Sequence, residues 1–268
     1  MKATLAVFLV LAMACEPRQP ASPSSDRSVG LEADFSAAAN RGVTIVLVHG
    51  AFADGSGWQE VIPLLQHDGF KVIAVQNPLI SLASDVATTR RVIDAQTGPV
   101  VLVGHSYGGA VITGAGSGSL NVKALVYVAA FAPDGGEPVG AFLGQYPSDL
   151  GAALVPDAAG FVYIDVAKFH DVFAADLPRR QTDVMAVAQK PAAGDIFGQS
   201  VPVAAWRTVP SWYVVARDDH AINPDLERFF ATRMGARTTE IRSSHVPFLS
   251  RPSQVARIIE QAAETVVP

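Results

Sequence analysis

The sequence predicts an α/β fold: a mostly parallel central sheet of about six strands, flanked by helices and interrupted by one helical insertion. Three observations carry that reading. Short runs of β-branched and apolar residues recur without polar alternation, as strands buried on both faces require. Stretches with apolar residues at i, i+3 and i+4 separate most of these runs. The alternation lapses once, over residues 134–207, where Pro and Gly breaks divide short helical patches and no clean buried strand is visible.

The strand-like runs are residues 43–48, 72–75, 100–103, 124–129 and 212–216, with a weaker one at 238–241. Helical patterns cover 58–67, 82–96, 224–234 and 252–266. Asn223 is placed to cap the third of these, with Pro224 at its first position. Within the insertion, residues 166–174 and 179–189 read as helices. Open parallel sheets bind ligands at the carboxyl ends of their strands, so the insertion is expected to form a cap there.

The first 41 residues stand apart. Lys2 precedes an uncharged, largely apolar run ending at Ala14, shorter than the ~20 residues a bilayer span needs but fitting a secretory leader. Ala12-Met13-Ala14 is an A-x-A cleavage signal. The only Cys of the chain, Cys15, follows at once, which resembles a lipoprotein lipobox, with Leu11 one position further upstream than usual. The expectation is therefore an exported protein, periplasmic or membrane-anchored through a lipid on Cys15, with simple secretion as the alternative. Residues 16–41, rich in Pro, Ser and Ala, read as a flexible tether, and 42–268 as the folded domain.

Composition narrows the function. Of the 268 residues 49% are hydrophobic and 17% charged, so the chain has ample apolar surface for a core. A net charge of −5 offers no broad basic surface for nucleic acid. One Cys excludes an intramolecular disulfide framework and a multi-Cys zinc site. Residues 95–122 carry no Lys, Arg, Asp or Glu, but His105, Ser106, Asn121 and several glycines divide them into a buried strand and a buried helix rather than a membrane span.

The strongest chemical signal is Gly104-His105-Ser106-Tyr107-Gly108-Gly109, a G-x-S-x-G pattern directly after a strand and directly before a helix. Glycines there allow a sharp turn that holds Ser106 exposed above the helix N-terminus. A serine nucleophile needs a base. His245 follows the last strand, which suits the chain order of nucleophile, acid and base. Asp219 in Arg217-Asp218-Asp219-His220 lies beyond the tip of the preceding strand and is the preferred acid, while Asp134 remains an alternative. The N–H groups of Ala51 and Tyr107 are candidates for an oxyanion hole, with Phe52 as the next-best donor. Phe142, Tyr146, Phe169, Phe173 and Trp206 are candidates for an apolar pocket in the insertion. No metal or cofactor is needed.

These segments resemble the α/β-hydrolase superfamily, in particular small bacterial serine hydrolases similar to plant methyl esterases and hydroxynitrile lyases. The matching stretches are Val46-Leu47-Val48-His49-Gly50-Ala51-Phe52, Gly104 to Gly109 with Val103 before it, residues 216–224 and residues 244–252. The resemblance covers nearly everything from residue 43 onward. It implies the α/β-hydrolase fold with a helical cap, and Ser106, Asp219 and His245 as catalytic residues. It also points to ester hydrolysis through an acyl-enzyme, and the aromatic side chains of the insertion add the expectation of small apolar or aromatic esters. The lyase branch carries Thr in place of Gly50 and Lys after the catalytic His. Val246 follows His245 here, which favours the esterase branch. A ligand-binding lipoprotein, or perhydrolase- or haloperoxidase-like chemistry on the same residues, are the alternatives.

Overall fold

The computed structural model describes residues 42–266. The leader with Cys15 and the tether at 16–41 lie outside the described residues. Six parallel strands form the central sheet: β1 Thr44–Val48, β2 Lys71–Val75, β3 Val100–Ser106, β4 Val122–Ala130, β8 Ser211–Ala216 and β9 Arg237–Ile241. Their order is β2-β1-β3-β4-β8-β9. Burial follows position in that order. Every residue of β1, β3 and β8 is buried, whereas β2 and β9 are edge strands whose Lys71, Arg237, Thr238, Thr239 and Glu240 face water. Polar side chains on an edge discourage pairing with another chain. They also explain why 238–241 is the weakest strand signal in the sequence.

Nine helices accompany the strands among the described residues: α1 Ile62–His67, α2 Leu82–Asp94, α3 Tyr107–Ala115, α4 Leu150–Ala153, α5 Val166–Phe173, α6 Arg179–Ala188, α7 Pro224–Met234, α8 Pro247–Ser250 and α9 Pro252–Glu264. The cap of α7 is as expected: Asn223 Oδ1 accepts the N–H of Asp225 at 2.9 Å, and Gly235 closes the helix at φ 62°. The pattern at 58–67 is not one helix. A 3₁₀ turn, Gly55–Glu60, precedes α1, and Pro63 sits at the start of α1, where its missing N–H costs nothing. Residues 95–122 divide as expected into β3, α3 and loops, and no described helix is long and apolar enough to cross a membrane.

The segment between β4 and β8 departs from a purely helical insertion. Besides α4, α5 and α6 it contains a small antiparallel sheet, β5 Leu154–Pro156, β6 Phe161–Ile164 and β7 Ala192–Ala193, in the order β5-β6-β7. Three strands of two to four residues are too short to show alternation, so periodicity could not announce them.

Candidate active site

The strand order reverses between β1 and β3, and the loops after these two strands meet at their carboxyl ends, where open α/β sheets hold ligands. Ser106 closes β3 and α3 starts at Tyr107. Ser106 has φ 52° and ψ −124°, a conformation that costs a non-glycine residue about 1–3 kcal/mol. Surrounding contacts enforce it. The Phe131 N–H donates to the Ser106 carbonyl at 3.1 Å. Gly108 lets the first turn of α3 sit against β1, since a Cβ there would lie 2.5 Å from the Val48 carbonyl oxygen. Gly50 brings the loop after β1 over the serine, since its Cβ would lie 2.7 Å from Ser106 Cβ and 3.1 Å from His105 Nδ1. Gly50→Ala is therefore expected to push that loop off the serine and cut ester turnover by roughly 10²-fold, the usual consequence of a displacement near 1 Å. Steady-state kinetics on a purified, folded variant check it.

Asp219 and His245 come together from the loops after β8 and β9. Three main-chain bonds stitch the region: Arg217 N–H to the Ile241 carbonyl, Asp218 N–H to Ser243 and Asp219 N–H to Ala216, at 2.9, 3.0 and 3.3 Å. Asp219 Oδ1 accepts the N–H groups of Ala221 and Ile222 at 2.7 and 2.9 Å. Its Oδ2 lies 2.6 Å from His245 Nδ1, and neither side chain is exposed. A carboxylate accepts, so Nδ1 carries the proton and Nε2 presents a lone pair. Nε2 is buried without a hydrogen-bond partner, and no hydrogen bond joins it to Ser106 Oγ in this structure. Such contacts often close only around substrate.

His105, beside the serine in sequence, points away from it and supports the His245 loop. Its Nε2–H donates to the His245 carbonyl at 2.9 Å, and its ring lies 4.6 Å from that of Phe248 on α8. Burial, followed by the neighbouring His245, holds it well below the ordinary histidine range, so it stays neutral. Nothing in the residue pattern around His105 signals this bracing role.

The candidate oxyanion donors sit where the two loops meet. Tyr107 is the first residue of α3, so its N–H precedes the helical ladder. Its phenol reaches into the core and donates to Asp85 at 2.8 Å. Ala51 and Phe52 follow Gly50 and are buried, with Phe52 at φ 63°. His49 fixes this loop: its Nδ1–H donates to the Gly50 carbonyl at 2.8 Å, and its Nε2 accepts the Asn77 N–H at 2.9 Å. Burial lowers the His49 pKa from 6.5 to about 4. The unfolded chain therefore takes up a proton between those values that the folded chain refuses. Stability is fully present above pH 6.5 and falls towards pH 4, by about 3 kcal/mol from this group. His49→Gln, which offers one donor and one acceptor, is expected to flatten the slope of urea midpoint against pH in that window, whatever its absolute stability.

The pocket candidates separate into two groups. Phe169 and Phe173 on α5 face the site: Phe173 meets the His245 ring at 5.1 Å and Phe169 packs on Phe173 at 5.0 Å. With Phe52, Ala53, Met185 and Gln189 they line a cavity of about 110 Å³. Phe142, Tyr146 and Trp206 correct the expectation. Phe142 and Tyr146 pack on Phe229 of α7 at 4.9 and 6.0 Å, and the Trp206 indole N–H donates to the Pro133 carbonyl at 2.9 Å beneath Arg207 and Arg233. These three hold the insertion to the domain and do not line the cavity. Phe197, by contrast, stands edge-on to Tyr107 at 6.2 Å.

Asp134, the alternative acid, and the other titratable groups fall outside the constellation. Asp134 is held by Arg207 in a two-point ion pair, which lowers its pKa and occupies it elsewhere. Asp218 is exposed, 3.6 Å from Arg242. His220 pairs with Asp149 at 2.7 Å on the surface, His67 is exposed, and His170 shares a 3.0 Å hydrogen bond with Thr182. Among the described residues no group of three or more His, Cys, Asp or Glu is arranged to hold a metal ion. The buried Glu227 on α7, behind Asp219, was not anticipated.

Comparison with known proteins agrees with this architecture. The model of the family described as "Alpha/beta hydrolase family" matches residues 45–258. Alpha/beta hydrolase nvfD of Aspergillus novofumigatus is 27% identical over 246 residues, covering 82% of this chain and 96% of its own. Methylesterase 8 of Arabidopsis thaliana is 26% identical over 217 residues, 69% of this chain and 75% of its own. Among solved structures, a pyrethroid hydrolase from Sphingobium faniae superimposes with a TM-score of 0.72 at 21% identity, covering 83% of this chain and 98% of that one.

Proposed function

The chain belongs to the alpha/beta hydrolase family, and from that membership and the site geometry we propose a carboxylesterase-type serine hydrolase that works through an acyl-enzyme on small apolar or aromatic esters. The observation that carries the proposal is the fully buried 2.6 Å Asp219–His245 pair with a free Nε2, together with a serine locked at positive φ directly after His105, whose ring lies 4.6 Å from that of His245. Ser106 Oγ attacks the ester carbonyl carbon and His245 Nε2 takes the hydroxyl proton. Asp219 holds the Nδ1–H tautomer and stabilises the imidazolium. The Ala51 and Tyr107 N–H groups, with Phe52 as an alternative donor, receive the negative oxygen of the tetrahedral intermediate. His245 returns its proton to the leaving alcohol. It then takes a proton from water, whose oxygen attacks the acyl carbon; the bond to Ser106 Oγ breaks, His245 returns that proton to Oγ, and the carboxylic acid leaves.

The substrate class follows from the walls. Phe52, Phe169, Phe173 and Met185 give the cavity an apolar lining beside His245. Its 110 Å³ is well below the ~300 Å³ of ordinary ligand pockets, so it suits a short acyl group, and a larger substrate would extend towards the neighbouring cavity of about 520 Å³ that shares Ser56, Gly57 and Met185 with it. The insertion is tied down near the site by Ser244, which donates to Asp176, and by Lys190, which donates to the Asn77 carbonyl. Relatives named for methylesterase and pyrethroid-hydrolase activities support ester substrates. Export, with a lipid on Cys15 as anchor, is part of the same proposal and rests on the leader sequence.

A fluorophosphonate probe tests the nucleophile directly. The Ser106 oxygen bonds to phosphorus while its proton and fluoride leave as HF, adding the mass of the probe less HF to the peptide that contains Ser106. Labelling of a different residue, or no labelling of the folded protein, defeats the assignment.

A further inference from the structure

Glu227 has no exposure, yet it stands among Leu226, Phe230 and Ala231 on the inner face of α7. Its Oε2 accepts the Ala216 N–H at 3.0 Å, at the end of β8. Its Oε1 is buried without a hydrogen-bond partner. The Ala216 carbonyl accepts the Asp219 N–H at 3.3 Å, so the Glu227 carboxyl sits at the base of the turn that carries Asp219, and the two carboxyls act on one another. Asp219 shows the complementary gap. An ionised carboxylate offers about four lone-pair positions. The N–H groups of Ala221, Ile222 and His245 occupy three of them.

Two buried carboxylates side by side would lose their hydration and repel each other, and one proton between them removes both costs. Among the described residues no Lys or Arg reaches the pair by a hydrogen bond, although Arg228 acts on Glu227 from a distance. The Tyr213 hydroxyl, facing from β8, is engaged with the Ala130 backbone. Arg228, on α7 itself, turns outward to Glu240 and Asp225, each at 2.8 Å. Burial first, then the Asp219 charge, pushes the Glu227 carboxyl well above the usual carboxylate range.

We propose that Glu227 is a neutral carboxylic acid whose O–H donates to the Asp219 carboxylate, making it a positioning residue that holds Asp219 in line with His245. The inference rests on the assignment of Asp219 and His245 made above. The chain from the Ala216 N–H through Glu227 and Asp219 to His245 Nδ1 then leaves no empty acceptor site on Asp219 and no free carboxyl oxygen at Glu227. The carboxylate cannot rotate away from the imidazole without breaking one of these bonds.

Two variants of the full protein test it, Glu227→Gln and Glu227→Met. The readouts are kcat and KM on an aryl ester and the low-field proton resonance of His245 Nδ1–H followed through pH without substrate. Gln replaces an O–H donor by an N–H donor at no change in charge. Its titration midpoint is expected within about 0.3 unit of wild type, and its kcat within about 3-fold. Met removes the donor, and kcat is expected to fall roughly 10-fold with KM little changed, as the resonance shifts or broadens. If Glu227 were ionised, Gln would delete a negative charge beside Asp219 and lower the midpoint by about one unit or more, which overturns the proposal. A Met variant with wild-type kcat and an unmoved resonance also overturns it. Should the Met variant not fold, the midpoint of the Gln variant decides alone. The resonance is read without turnover, so failure of the nucleophile assignment would show in Ser106→Ala and leave this test intact.

Discussion

Ser106→Ala is expected to reduce hydrolysis of an aryl ester by about 10⁴- to 10⁶-fold while leaving the urea midpoint unchanged. The two halves of that expectation have separate causes. His245 Nε2 makes no hydrogen bond in the structure, so removing Ser106 Oγ breaks no bond to the base. Alanine keeps the Cβ and therefore the strain at φ 52°. What disappears is the atom that attacks, and the residual rate is what amide donors and binding alone supply. Ser106→Gly separates chemistry from strain further. It loses the same activity, but glycine accepts this φ without penalty, and the gain should exceed the roughly 0.5–1 kcal/mol that glycine costs through the unfolded chain. An alanine variant that retained even a tenth of wild-type turnover would remove Ser106 from the mechanism.

The parts of the molecule that were legible in advance are those where one physical demand dictates the residue. Strands buried on both faces admit only apolar side chains, so β1, β3, β4 and β8 stand out in the sequence, whereas the edge strand β9 does not. The turn at Ser106 admits only glycine at 108, and Asp219 could be preferred to Asp218 because a residue beyond the strand tip can turn inwards. What remained hidden depends on which of two equally apolar destinations a side chain takes. Phe142 and Phe173 are alike in the sequence, since packing against α7 and lining a cavity both call for an aromatic. The small sheet of the insertion was hidden by its brevity. His105 could be judged only by where its ring ends up, which is against the His245 backbone. Glu227 had a faint signal: a carboxylate flanked by Leu226 and Phe230 on the apolar face of a helix is out of place unless something polar meets it there.

Asp219→Asn is expected to lower kcat about 10⁴-fold with the backbone undisturbed, and hydrogen-bond polarity explains why so small a change matters. In the native site Asp219 Oδ1 accepts from two main-chain N–H groups, Ala221 and Ile222. An asparagine must keep its carbonyl oxygen there, because turning the amide over would set its NH₂ against two donors. The NH₂ then faces His245 Nδ1, at the position where the Oδ2 contact is 2.6 Å. Nδ1 can meet a donor only as a lone pair, so the imidazole proton moves to Nε2. A ring protonated at Nε2 cannot take the proton of Ser106, and the acylation step loses its base although every residue stays in place. The variant should therefore retain its urea midpoint within about 1 kcal/mol of stability, since one buried hydrogen bond is exchanged for another. The ¹⁵N shifts of His245 should report the exchanged tautomer, with the two ring nitrogens reversing their protonated and unprotonated values relative to wild type. Full activity with the Nδ1–H tautomer retained would show that Asp219 does not set the state of His245.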